Sequence, residues 1–76
     1  MYVIKPENKK ELINGRKLTY LAKELGLTTA YLCSILMGRY KTSEITARGL
    51  ISIREQIPIN DLNMSKLVKY YFKREE

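Results

Sequence analysis

A chain of 76 residues with a formal net charge of +6 has room for one small domain around one small core. A hydrophobic fraction of 45% beside a charged fraction of 29%, with only four glycines and two prolines, excludes a disordered or fibrous chain. A single cysteine excludes an internal disulfide, and histidine, the commonest general base and zinc ligand, is absent, so we expect no enzyme, metal or cofactor.

The N-terminal part of the chain predicts an extended arm followed by a short helix. Tyr2–Ile4 is β-branched and aromatic, which is typical of an edge strand. Pro6 suits the first turn of a helix, where its missing N–H is not needed, and Asn14–Gly15 ends a helix because glycine readily adopts a left-handed conformation. We therefore predict a first helix over Pro6–Ile13.

The next segment carries the clearest helical periodicity. Apolar residues recur at i, i+3, i+4 and i+7, namely Leu18, Leu21, Ala22 and Leu25. Gly26 ends this second helix, and Thr28 is a good N-cap for a third helix. The third helix is predicted to end at Gly38 and to bury Leu32, Ile35 and Leu36.

A fourth helix follows the basic turn Arg39–Lys41. Thr42 or Ser43 can cap it, and it is predicted to run to about Gln56. Its predicted apolar side consists of Ile45, Leu50, Ile53 and Ile57. Gly49 inside a helix costs about 1 kcal/mol relative to alanine, so we expect a close helix crossing at this residue.

The tail of the chain fits two kinds of element. Pro58 breaks the fourth helix, and Asn60–Asp61 can start a last helical turn. Within and beside Ser65–Phe72, a helix would align Met64, Leu67, Val68 and Tyr71, whereas a strand would align Val68, Tyr70 and Phe72. We favour the strand, which can pair with Tyr2–Ile4 in a small two-stranded sheet.

Leu18–Met37 meets the requirements of a helix-turn-helix. This unit joins two short helices by a three- or four-residue turn that contains glycine, and its second helix enters the major groove of DNA. Ala22 is small where the two helices approach each other, and Gly26 lies in the turn. We therefore predict a recognition helix that begins near Thr28.

The same residues resemble a known family. The matching positions are Leu21–Thr28, Leu32, Ile35 and Gly38–Arg39. They are similar to Cro/repressor-type (lambda-repressor-like) helix-turn-helix proteins, and especially to short phage-type regulators of Gram-positive bacteria. The resemblance covers Asn14–Lys41 well and Thr42–Leu62 loosely. It implies that residues 1–76 form one all-α domain, a compact bundle of about five helices that binds operator DNA, usually as a dimer.

The resemblance also implies which residues contact DNA. Bases are read in that family from the start and the outward face of the recognition helix, here Thr28, Thr29, Ala30 and Ser34. Phosphates are held before the second helix and after the recognition helix, here by Arg16, Lys17, Arg39 and Lys41. Lys17 and Leu18 depart from the pattern, because they stand where the family usually has a Thr or Ser cap followed by a polar residue, and a phosphate contact from position 18 is lost. Arg16, Lys17 or Thr19 would have to supply that contact.

Helical geometry supports this face independently. At about 100° per residue, the residues opposite the inward-turned Leu32 are Ala30, Ser34 and Met37. Ala30 and Met37 can contact a thymine methyl group, while Thr29 and Ser34 offer hydroxyls. None of these residues is Arg, Gln or Asn, so we expect specificity to depend on DNA shape, or on Arg39 and Tyr31 at the margins of the helix. Both of these residues are also placed among the backbone contacts.

The charge distribution favours a polyanionic partner. Asn14–Arg48 carries a net charge of +4, whereas Gly49–Ser65 carries −1. We predict a sequence-specific transcriptional regulator, most simply a repressor, with no evident small-molecule ligand. No apolar run approaches the roughly 20 residues that span a bilayer, and the N-terminus lacks the apolar stretch of a signal peptide. We therefore expect a cytoplasmic protein.

We also expect a homodimer, which need form fully only on DNA. The core is thin, and the tail Leu67–Phe72 carries more apolar surface than a monomer comfortably exposes. An alternative function is a protein-interaction module on the same fold, such as an antitoxin or an anti-repressor. A membrane-surface binder is disfavoured, because the basic aromatic tail ends in Glu75–Glu76 and lacks a sustained amphipathic pattern.

Overall fold

The computed structural model describes residues 1–75, and within them five α-helices and two short strands follow one another. The elements are β1 (Tyr2–Ile4), a 3-10 turn (Pro6–Asn8), α1 (Lys9–Ile13), α2 (Leu18–Leu25), α3 (Thr29–Leu36), α4 (Glu44–Glu55), α5 (Met64–Tyr71) and β2 (Phe72–Arg74). The helices form a bundle, and the two strands pair antiparallel in one small sheet. The predicted fold, an all-α bundle of about five helices with a terminal sheet, is confirmed.

The prediction that Ser65–Phe72 is a strand is wrong. Met64–Tyr71 is an α-helix, and only Phe72–Arg74 is extended. A helix puts Met64, Val68 and Tyr71 on one side, and all three are buried. The strand pattern would have buried Tyr70, which is instead exposed. The helix is favoured because it buries more apolar side chains than a strand with the alternating pattern could.

The predicted pairing of the two chain ends is confirmed. Ile4 lies opposite Phe72 in the sheet, and both side chains are buried in the core. The sheet also reaches the loop between α3 and α4, because Tyr2 and Thr42 exchange two backbone hydrogen bonds of 2.8 and 2.7 Å. Thr42 is thereby used in a bridge, and Ser43 is the residue that caps α4, accepting the N–H of Thr46.

Helix α4 lies at the centre of the bundle and contacts α1, α2 and α5. It buries Ala47, Leu50 and Ile51. The prediction that Ile45 belongs to this apolar side is wrong, since its side chain is 77% exposed. Ile45 lies in the first turn of α4, about 160° around the helix axis from Ala47, and therefore turns away from the core.

The expected close crossing at Gly49 is present. A Cβ atom on this residue would lie 2.7 Å from Cδ2 of Leu25, well inside van der Waals contact. Leu25 belongs to the last turn of α2, so the absence of a side chain at Gly49 lets α2 approach α4. This crossing holds the helix-turn-helix against the bundle.

Candidate nucleic-acid interface

Helices α2 and α3 pack against each other and are joined by the three-residue turn Gly26–Thr28. Gly26 has φ = 69°, a left-handed conformation that costs glycine little. Its N–H donates to the carbonyl of Lys23, and the N–H of Leu27 donates to that of Ala22. This pair of bonds is the Schellman ending of a helix. The turn predicted from the sequence is therefore present, and α3 begins where it was expected.

Thr28 fixes the start of α3. Its backbone is extended, and its Oγ1 accepts the backbone N–H of Tyr31 at 3.1 Å. This bond satisfies one of the N–H groups that a helix start leaves without a partner. The Thr28 side chain is also exposed, so one residue both caps the helix and faces outward at its positive end.

Helix α3 has one face in the core and one face outward. Leu32, Ile35 and Leu36 are buried. The five residues predicted to contact bases lie elsewhere on the helix or at its ends: Thr28, Thr29, Ala30 and Met37 are exposed, and Ser34 is half-buried. Helix α3 carries no acidic residue, so its outward face offers hydroxyl and apolar groups without negative charge.

The predicted backbone-contacting residues occupy both ends of the unit. Lys17 and Thr19 are exposed at the start of α2, and Arg39 and Lys41 are exposed beyond the end of α3. None of the three cations forms an ion pair within residues 1–75. Arg16 differs, because it is half-buried and its Nη1 atom is enclosed with no hydrogen-bond partner among the described residues. Arg16 is thus the least accessible of the predicted phosphate contacts.

The two arginines of α4 form ion pairs and hydrogen bonds with other residues of the chain. Arg48 pairs with Glu44 at 2.8 Å and donates to the carbonyl of Ile59 at 3.1 Å. Arg54 donates to the carbonyl of Glu11 at 2.8 Å and pairs with Glu55 at 3.2 Å. Arg48 and Arg54 are thus paired with carboxylates, whereas Lys17, Arg39 and Lys41, which flank the helix-turn-helix, have no carboxylate partner among the described residues.

An aromatic pair covers the loop that follows α3. The rings of Tyr31 and Tyr40 lie 5.7 Å apart at a tilt of 38°, and both side chains are exposed. Sequence reasoning singled out Tyr31 and missed Tyr40. The position of Tyr40 between Arg39 and Lys41 could have indicated a role, but a contact between a helix residue and a residue of the following loop follows no sequence periodicity.

The loop itself is anchored at both ends. The N–H of Arg39 donates to the carbonyl of Ser34 at 2.9 Å, which completes a second Schellman ending. At the other end, Thr42 is buried and bonded to Tyr2. Tyr2 further donates its hydroxyl to Glu44 at 3.0 Å, and this hydrogen bond, followed by the charge of Arg48, lowers the pKa of the Glu44 carboxyl. The loop that carries Arg39 and Lys41 is thereby held in place.

Within the described chain no group of three or more His, Cys, Asp and Glu side chains could hold a metal ion. No helix of residues 1–75 has the length and apolar character to cross a membrane. Comparison with protein-family models, with curated proteins and with solved structures gives no match.

Proposed function

We propose that this chain is a sequence-specific regulator that binds duplex DNA by inserting α3 into the major groove. The observation that carries the proposal is the uncharged outward face of α3, flanked at both ends by exposed cations that have no carboxylate partner among the described residues. DNA phosphates lie on both sides of the major groove, so this order of groups suits a helix lying between two phosphate rows.

Each predicted residue has a definite role in this proposal. Thr28, Thr29, Ala30, Ser34 and Met37 contact base edges, and Lys17, Thr19, Tyr31, Arg39, Lys41 and the partly enclosed Arg16 contact the sugar–phosphate backbone. Hydroxyl and methyl groups discriminate bases less sharply than bidentate Arg, Gln or Asn contacts. Sequence-dependent DNA shape therefore supplies a large part of the specificity.

The biological role follows from the resemblance to Cro/repressor-type proteins. The protein would act in the cytoplasm as a phage-type repressor, binding as a homodimer and occluding a promoter. Regulation would come from the amount of protein, from dimerisation or from a partner protein. The alternative, a protein-interaction module of the antitoxin or anti-repressor kind, would leave the cations around α3 without a use, and DNA is favoured for that reason.

Selection from random duplex DNA on the pure protein tests the proposal. We expect one enriched motif arranged as a pseudo-palindrome. On that duplex, a dimer that engages about six to eight phosphates gives a log–log salt slope of roughly −5 to −7. No enrichment, or an affinity that stays constant between low and physiological ionic strength, would contradict the proposal.

A further inference from the structure

We propose that Ile45, Ile59 and Leu62 form a self-association surface, the α4–loop face, on which a second copy of this chain docks. The proposal deepens the proposed function, since the copy supplies the second half of a DNA-binding dimer. It also moves the dimer contact away from the tail. Val68, Tyr71 and Phe72 are buried in the core, and Tyr70, the exposed aromatic residue of the tail, donates its hydroxyl to Glu11 at 2.8 Å.

The three side chains of the α4–loop face are exposed. Leu62 is 99% exposed, Ile45 77% and Ile59 51%. Large aliphatic side chains this exposed lose the whole benefit of burial, and a contiguous apolar patch on a small protein is typical of an interaction site. These side chains carry no polar group that would favour contact with water.

Hydrogen bonds hold the loop after α4 against that helix. Arg48 follows Ile45 by three residues on α4 and donates its guanidinium to the carbonyl of Ile59 at 3.1 Å. One turn further along α4, the hydroxyl of Ser52 donates to the carbonyl of Ile57. These two bonds hold the loop after α4 along the side of the helix on which Ile45 lies, and Leu62 follows in the same loop.

The charge of the α4–loop face favours a second copy of the chain as the partner. Two copies of a chain with net charge +6 repel each other, so they meet best where cations are fewest or are paired. Residues 42–65 carry two arginines against two glutamates and one aspartate, a net of −1, and the rest of the chain carries +7. Arg48 is neutralised by Glu44 at 2.8 Å. An anionic partner would find nothing to attract it to this face, whereas a second copy matches it by symmetry.

The size of the surface fits a weak dimer. Stable interfaces bury roughly 1,200–2,000 Å² in total, which is more than three aliphatic side chains on each copy can supply. The dimer is therefore weak in free solution and completed on DNA.

The test uses the free protein first. Amide chemical shifts of the wild type are recorded from micromolar to millimolar concentration without DNA. We expect concentration-dependent shifts at Ile45 and residues 57–63, and none in Leu62→Glu or in the neutral variant Leu62→Asn. Lys66→Gln, which lowers the net charge by the same single unit as Leu62→Glu, keeps the shifts. Shifts confined to another surface, or no shifts in the wild type, overturn the proposal.

The DNA measurement then uses the selected motif as a duplex with two half-sites and a duplex with one. Leu62→Glu should lose cooperativity and bind the two-site duplex about tenfold to a hundredfold more weakly than Lys66→Gln, with equal affinity for the single site. Unchanged cooperativity in Leu62→Glu overturns the proposal. A wild type that binds neither duplex contradicts the proposed function alone, because the shift measurement still decides the α4–loop face.

Discussion

Substitutions of Thr28 separate its contribution to folding from its contribution to DNA binding. The Oγ1 atom of Thr28 accepts the Tyr31 N–H at 3.1 Å, and alanine would leave that N–H to water. Loss of such a cap costs about 1 kcal/mol, which lowers the melting temperature of a domain this small by about 4–8 °C. Aspartate caps a helix as well as threonine, and its charge is favourable at the helix start.

Thr28→Asp should reduce DNA affinity without reducing stability, whereas Thr28→Ala should mainly reduce stability. The Thr28 side chain is exposed at the start of α3, where the proposal places the bases and flanking phosphates. A carboxylate held about 6 Å from a phosphate is repelled by about 1–3 kcal/mol, depending on the local dielectric. Thr28→Asp should therefore melt no lower than the wild type yet bind the selected duplex about fivefold to a hundredfold more weakly. Thr28→Ala should melt lower and, below its melting temperature, lose less affinity than Thr28→Asp, because it removes one hydroxyl contact but adds no charge.

Thermal unfolding by circular dichroism and fluorescence anisotropy on the selected duplex provide the two readouts. Thr28→Ser keeps both the cap and the hydroxyl and serves as the control. If Thr28→Asp binds the duplex as tightly as Thr28→Ser, the start of α3 does not approach DNA phosphates. If Thr28→Ala melts like the wild type, the Thr28 cap does not stabilise α3.

Three further predictions follow from individual contacts. Gly49→Ala should stabilise the protein in a denaturant titration by less than the roughly 1 kcal/mol that the helix propensity of alanine offers, because its Cβ would lie 2.7 Å from Leu25 Cδ2 and that side chain must shift. The full gain should appear in the Leu25→Ala background, and equal effects in the two backgrounds would refute the crossing. Burial, followed by the charges of Glu11 and Glu55, raises the pKa of Tyr71 to about 12. Because the pKa of folded Tyr71 exceeds the ordinary value of 10, the contribution of its neutral hydroxyl to folding stability is complete below about pH 10 and is lost as the pH rises towards about 12. Tyr71→Phe should flatten the curve of stability against pH in that range, and an unchanged curve would contradict the raised pKa of Tyr71. Arg39→Ala should weaken binding to the selected duplex and to random duplex by the same factor in anisotropy titrations, and a loss confined to the selected duplex would make Arg39 a base contact.

Local patterns in the sequence predicted the helices that build the candidate interface. The spacing of Leu18, Leu21 and Leu25, the turn at Gly26 and the cap at Thr28 each depend on residues within one or two helical turns. Such features act before any tertiary contact forms, so they can be read directly. For the same reason the outward position of the α3 residues could be predicted from helical geometry.

The structure of the tail and the exposure of Ile45 are determined by contacts between distant parts of the chain, so they could not be predicted from local sequence. Val68 belongs to both the helical and the alternating pattern, and only the shape of the core decides in favour of the helix. Ile45 was grouped with Leu50 and Ile53 on the predicted apolar side of α4, yet it lies about 160° around the helix axis from the buried Ala47 and its side chain is 77% exposed. The bridge between Tyr2 and Thr42 joins residues 40 positions apart and leaves no local sequence pattern.

The central claim is that the outward face of α3 lies in the major groove, and Ala30→Glu tests it most directly. Ala30 is exposed at the second position of α3, where glutamate favours the helix start, so the variant should fold as the wild type does. Anisotropy titrations on the selected duplex compare it with Lys66→Gln, which removes the same net charge from an exposed site on α5. We predict that Ala30→Glu binds at least about tenfold more weakly than Lys66→Gln. Equal affinities of the two folded variants would contradict the claim.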